Sequence, residues 1–173
     1  RGVIAPILTP FNDDLSIATD LYIELARRLF DDGCAGLAPF GTTGEALSVG
    51  IDERIEAIDA LINGGVDPAR MIPGTGLSNV ADTARLSRAC LDRGCAAVMT
   101  LPPFYFKSVS EDGIYRYFAE LIAKIGEDAR IFLYHIPPIA VVGIPPALAA
   151  RLHAGFPQAG GQAGRRGARH RVR

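Results

Sequence analysis

An α/β fold, a (β/α)8 barrel that is partial and not closed, is what this sequence predicts, and three observations predict it. Short apolar runs alternate with longer amphipathic stretches five times, the pattern of a parallel sheet covered by helices. Glycines, hydroxyls and aromatics gather just after the apolar runs: Thr9, then residues 41–45, then Gly74, Thr75 and Gly76, then Phe104 and Tyr105, then Tyr134 and His135. In a barrel such positions share one mouth, the catalytic face, and a closed barrel takes eight units and ~250 residues where this chain offers five. The other architecture with this alternation, a doubly wound nucleotide binder, usually carries a glycine-rich phosphate loop after its first strand, and here that place reads TPFNDD.

The elements follow in order. Residues 2–8 (GVIAPIL) are nearly all apolar, as in a strand buried on both faces, and Pro10 prevents the ladder from continuing. Over residues 19–32 the apolar Leu21, Leu25, Ala26 and Leu29 recur at helical spacing, and Gly33 stops the helix. Residues 36–40 (GLAPF) form a second strand. Residues 50–63 are helical, with Ile51, Ile55, Ile58 and Ile62 on one stripe and two glycines at the end. Residues 71–76 (MIPGTG) are a third, weaker strand, and residues 79–93 a helix closed by Gly94. Residues 96–101 (AAVMTL) are the fourth strand; Ser110 caps a helix that runs to Ile125 and stops at Gly126. Residues 130–136 (RIFLYHI) are the fifth strand, and residues 145–154 a short last helix.

Composition narrows the function class. Hydrophobic residues make up 49% and charged residues 21%, with a net charge of −1, so nothing overall favours nucleic acid or a membrane surface. No run approaches the ~18 apolar residues of a membrane span, and there is no signal peptide pattern. Cys34, Cys90 and Cys95 are odd in number and lack zinc spacing, as expected of reduced thiols in a cytoplasmic protein; no metal is expected.

Two motifs can carry chemistry. In residues 40–47 (FGTTGEAL), two hydroxyls between two glycines suit a tight turn whose N–H groups face a carboxylate or oxyanion; an ordinary glycine turn before a helix is the plainer alternative. In residues 133–138 (LYHIPP), strand alternation sends Tyr134 and His135 to opposite sides. A tyrosine at a barrel mouth can pass protons if a neighbour orients its hydroxyl, and otherwise is a packed tyrosine.

In combination, GTTGE, GTG, LPPFYF and YHIP, preceded by GVIAPILTPFNDD, resemble the dihydrodipicolinate synthase and N-acetylneuraminate lyase family over residues 2–157. The resemblance implies a pyruvate-dependent class I aldolase or lyase: a (β/α)8 barrel, a homo-oligomer (usually a homotetramer), cytoplasmic, acting without metal or other cofactor. A lysine on the sixth strand would form a Schiff base with pyruvate or another 2-keto acid. The same resemblance makes Tyr134 the general acid/base, Thr42 its proton relay, and Tyr105 a residue supplied across a subunit interface. Thr43, with the backbone around Gly41 and Gly44, would hold the keto-acid carboxylate. Two features depart from the pattern. Ile139 stands where synthases carry an arginine for the aldehyde substrate's carboxylate, and His135 where asparagine is common, which favours the aldolase and lyase branches.

The second departure lies at the end of the chain. A sixth strand is expected near residue 158 and its lysine within about residues 160–165, yet the sequence there reads AGGQAGRRG, with five arginines in the last nine positions. The lysines of the sequence are Lys107 and Lys124, and neither fits the role, so no Schiff-base lysine is assigned. Residues 1–157 are therefore read as the N-terminal part of the barrel domain. Residues 158–173 are read as a basic, disordered tail of the composition that a frameshift near residue 159 would give, with a genuine basic arm as the alternative. The chain opens on Arg1, so its natural start is expected upstream. The expected function is that of the family with this chain inactive; the alternative is a non-enzymatic keto-acid-binding or scaffold remnant.

Overall fold

The computed structural model describes residues 2–126 and 128–157, and the expected sixth strand and basic tail lie outside them. The described residues divide into two compact units. One holds residues up to Gly74 together with Asp92–Ala96; the other holds Thr75–Leu91 and residues from Ala97 onward.

In the first unit, β1 (Ile4–Ala5) pairs in parallel with β2 (Gly36–Leu37), Ile4 opposite Gly36 and Ala5 opposite Leu37. Met71 adds a single parallel bridge to Leu37. The third strand expected over residues 71–76 is reduced to isolated bridges at Met71 and Gly74, with Ile72 N–H donating to Leu37 O and Gly74 N–H to Pro39 O; Pro73 between them has no N–H to extend the ladder. The first strand is also shorter than its apolar run, and it is not buried on both faces. Ala5, Ile7 and Thr9 are buried, whereas Ile4 and Leu8 are 47% and 59% exposed. Only one side of this strand is covered, so the period of two sends alternate residues to solvent.

Helices α1 (Thr19–Asp31) and α2 (Ile51–Asn63) pack against each other. Both lie where helical spacing puts them, but with different inner faces. In α1, Tyr22 and Ala26 are buried and Leu21 is exposed. In α2 the buried line is Arg54, Ala57, Ile58 and Leu61, so that of the isoleucine stripe Ile58 is buried while Ile51, Ile55 and Ile62 are half-buried. Gly33 ends the first helix at φ 92°, a left-handed conformation that glycine adopts without a Cβ clash. Two short 3-10 helices, Ala46–Ser48 and Pro68–Arg70, were not expected from the pattern. Arg93 meets Asp59 at 2.6 Å, and this hydrogen bond holds the Asp59 carboxyl below its ordinary range. Both partners are partly exposed, so the pair contributes little.

In the second unit, β3 (Val98–Thr100) and β4 (Ile131–Leu133) pair in parallel, Val98 opposite Ile131 and Thr100 opposite Leu133. Helix α3 (Val80–Asp92) buries Thr83, Ala84, Leu86, Ser87 and Leu91. Helix α4 (Glu111–Ile125) opens as expected, the Ser110 hydroxyl accepting from the Gly113 N–H at 3.1 Å, and ends at Gly126, φ 101°. A four-residue helix, α5 (Pro137–Ala140), interrupts the segment after β4, and α6 (Pro146–Gly155) packs on α4. The cysteines are free thiols, Cys90 and Cys95 buried and Cys34 partly so. Among the described residues no helix is long and apolar enough to cross a membrane. The architecture is thus a partial (β/α)8 arrangement, with parallel βα units and no closed barrel among the described residues.

The exposed side of β1, where Ile4 is continued by Leu8, is an apolar strand face open to water, and Val3 just before the strand is 65% exposed. The 173-residue chain expressed by itself should bind a hydrophobic dye strongly and associate as concentration rises. A monodisperse monomer that melts sharply and binds no dye would contradict this.

Candidate active site

The loop after β2 is built by close approach. Phe40 and Glu45 bracket the GTTG sequence, and both adopt left-handed backbone, φ 56° and 50°. Neither is glycine, so each costs about 1–3 kcal/mol that the surroundings must offset. Phe40 is buried, its ring 6.1 Å from that of Tyr22. Gly44 lies so tightly on the chain leaving β1 that a Cβ there would come within 2.9 Å of the Ile7 carbonyl oxygen. The buried Thr9 hydroxyl donates to the Gly44 carbonyl at 2.7 Å. Burial pushes the neighbouring Tyr22 phenol well above its ordinary value, with Thr9 opposing the shift in part.

From the other side Arg54 reaches back from α2. Its side chain is 2% exposed, and it donates through Nε to the Val49 carbonyl at 3.1 Å and through Nη2 to the Ala46 carbonyl. Inside the loop, Glu45 N–H donates to Thr42 O and Ala46 N–H to Gly41 O. The outcome is a turn with Gly41 and Gly44 buried and Thr42 and Thr43 exposed at the C-terminal end of β2. Two hydroxyl residues held outward on a rigid turn can bind an anion without first being ordered.

The second unit carries the remaining expected residues. The buried Thr75 hydroxyl lies 2.8 Å from that of Ser87 and 3.2 Å from that of Thr100, and its N–H donates to the Met99 carbonyl, which locks the GTG segment onto β3. The Tyr134 N–H continues the ladder to Thr100 O at 3.0 Å. Alternation puts Tyr134 on the side of the exposed Phe132, and His135 on the side of the buried Ile131. His135 Nδ1 accepts the Ile144 N–H at 2.9 Å, which ties down the segment containing α5. Tyr105 is 77% exposed in the loop after β3, edge-on to Phe106. Thus Gly41, Thr42, Thr43 and Gly44 sit together in the first unit, and Tyr105 and Tyr134 belong to the second.

Sequence reasoning missed Arg54 and Tyr22. Their signal was available: Arg54 falls three, four and seven residues before Ala57, Ile58 and Leu61, on the inner line of its helix.

Residues 1–162 match the Dihydrodipicolinate synthetase family. The chain belongs to that family. It is 40% identical over 146 residues to an uncharacterized DapA-like lyase of Chloroflexus aurantiacus, covering 84% of this chain and 48% of the relative. It is 34% identical over 157 residues to the 4-hydroxy-tetrahydrodipicolinate synthase of Thermus thermophilus, covering 91% and 52%. The chain therefore spans about half the length of the curated relatives it matches. Among solved structures, a dihydrodipicolinate synthase from Agrobacterium tumefaciens superposes with a TM-score of 0.89 at 38% identity, covering 91% of this chain and 55% of that one. A prophage protein of the dihydrodipicolinic acid synthase family from E. coli K12, solved in complex with pyruvate, superposes at 0.83 with 26% identity, covering 91% and 52%.

Gly44 offers a direct check on the loop's packing. Gly44→Ala should destabilise the chain by about 1–3 kcal/mol, because the added methyl meets backbone and not a movable side chain. Proteolysis should then open the chain first within residues 40–50, and an unchanged cleavage pattern would refute the packing described.

Proposed function

We propose that this chain carries the keto-acid half of a Schiff-base aldolase or lyase site acting on pyruvate or a related 2-keto acid. The observation that carries the reading is the rigid turn that holds Thr42 and Thr43 outward between two buried glycines, in a chain of this family. Thr43 and the loop's N–H groups bind the carboxylate. Tyr134 serves as general acid/base, Thr42 relays its proton, and Tyr105 completes the relay from a neighbouring subunit of a homo-oligomer. The family's solved pyruvate complex supports the substrate class.

The lysine chemistry is proposed to be missing from these 173 residues. Carbon–carbon cleavage by this route needs an amine that condenses with the keto group, loses water and becomes an electron sink. Lys107 is exposed in the loop after β3, and Lys124 is exposed in the last turn of α4, where its carbonyl accepts from Arg88. Arginine stays protonated and cannot serve. The chain then binds keto acid without turning it over.

Treatment with pyruvate and borohydride tests this. The 173-residue chain should bind pyruvate reversibly and show no mass increase after reduction. A stoichiometric reduced adduct on Lys107 or Lys124 would contradict the missing-amine reading, and no pyruvate binding at all would contradict the carboxylate site.

A further inference from the structure

We propose that Arg54 is a positioning residue whose guanidinium, reaching from α2, sets the shape of the loop at residues 41–45 through the carbonyls of Ala46 and Val49. The inference rests on the reading of that loop as the keto-acid carboxylate site and deepens it, since it names what holds the site open in the absence of ligand.

A guanidinium is charged at any useful pH, and a buried one must be met by acceptors. At 2% exposure, Arg54 takes acceptors from both ends of the 3-10 segment that follows the loop: Ala46 O at its start and Val49 O just past its end. Sliding that segment along α2 would take both carbonyls away from the guanidinium. Its first residue is hydrogen-bonded back into the loop, Ala46 N–H to Gly41 O, and Glu45 N–H donates to Thr42 O. The fixed carbonyl of Ala46 thereby fixes the turn at its C-terminal end, while Thr9 fixes Gly44 from the β1 side. Between these two tethered residues the left-handed Glu45 has little freedom to relax. Thr42 and Thr43 touch neither tether and stay free for a ligand. Arg54 therefore acts through the loop and needs no contact with the keto acid.

Hydrogen exchange read by mass spectrometry on the full 173-residue chain, with and without pyruvate, tests this. Arg54→Met should raise exchange of the amides at residues 45–49 about tenfold or more and weaken pyruvate binding by about as much, as expected when charge-assisted bonds are lost. The amides at residues 57–61 report the α2 core and should keep their protection. Arg54→Lys keeps the charge but not the fork, so its loop exchange and its pyruvate affinity should fall between wild type and the methionine variant. If Arg54→Met unfolds the whole chain, Arg54→Lys and Arg54→Gln decide, and both should loosen residues 45–49 selectively. Wild-type loop exchange and pyruvate affinity in the methionine variant, or in both fallback variants, would overturn the proposal. So would a uniform rise across loop and core in every variant. If pyruvate leaves the wild-type loop unaffected while Arg54→Met still loosens it selectively, Arg54 positions the loop and the carboxylate reading is what fails.

Discussion

A buried guanidinium cannot be left without acceptors, and much of the first unit follows from where Arg54 finds them. Carbonyls at Ala46 and Val49 must face α2, so the chain leaving β2 has to fold back over the helix start and not run out into solvent. Along that path Phe40 and Glu45 take left-handed backbone, and Gly44 lies against the chain leaving β1, where no side chain fits. Gly74 is held in the same way, with no room for a Cβ beside the Phe40 carbonyl. The two threonines just before the tethered Gly44 are left outward.

The rest of the architecture is carried by helices more than by strands. β1 and β2 pair over two residues each and β3 and β4 over three, while the main helices run ten to fifteen residues. Helix termini are fixed by local chemistry that needs no long-range partner. Ser110 caps α4, the Glu53 carboxylate accepts the Gly50 N–H at the start of α2, and left-handed glycines close α1 and α4. The hydroxyl cluster of Thr75, Ser87 and Thr100 gives the second unit a polar tie between the GTG segment, α3 and β3.

The helices were legible in the sequence because apolar spacing and glycine stops are local signals, and the bounds at Thr19, Asn63 and Ile125 agree with them. Their inner faces were read less well. The isoleucine stripe of α2 counts only apolar residues, so it passes over an arginine whose charge is met by backbone. The third strand is interrupted at Pro73, where an apolar run lacks a donor, and keeps only bridges at Met71 and Gly74. The turns at Phe40 and Glu45 were hidden because the usual mark of left-handed backbone is glycine, and here glycine instead marks the absence of space. The threonines and tyrosines could be singled out by their positions after the apolar runs. The chemical roles proposed for them rest on the family pattern, since spacing alone leaves a glycine turn and a packed tyrosine open.

The most direct test of the account is an experimental structure of the 173-residue chain with pyruvate bound. The carboxylate oxygens should accept hydrogen bonds from the Thr43 hydroxyl and the N–H groups of residues 42–44, on a loop unchanged from its ligand-free shape. Pyruvate bound elsewhere, or a loop that must rebuild before it binds, would contradict it.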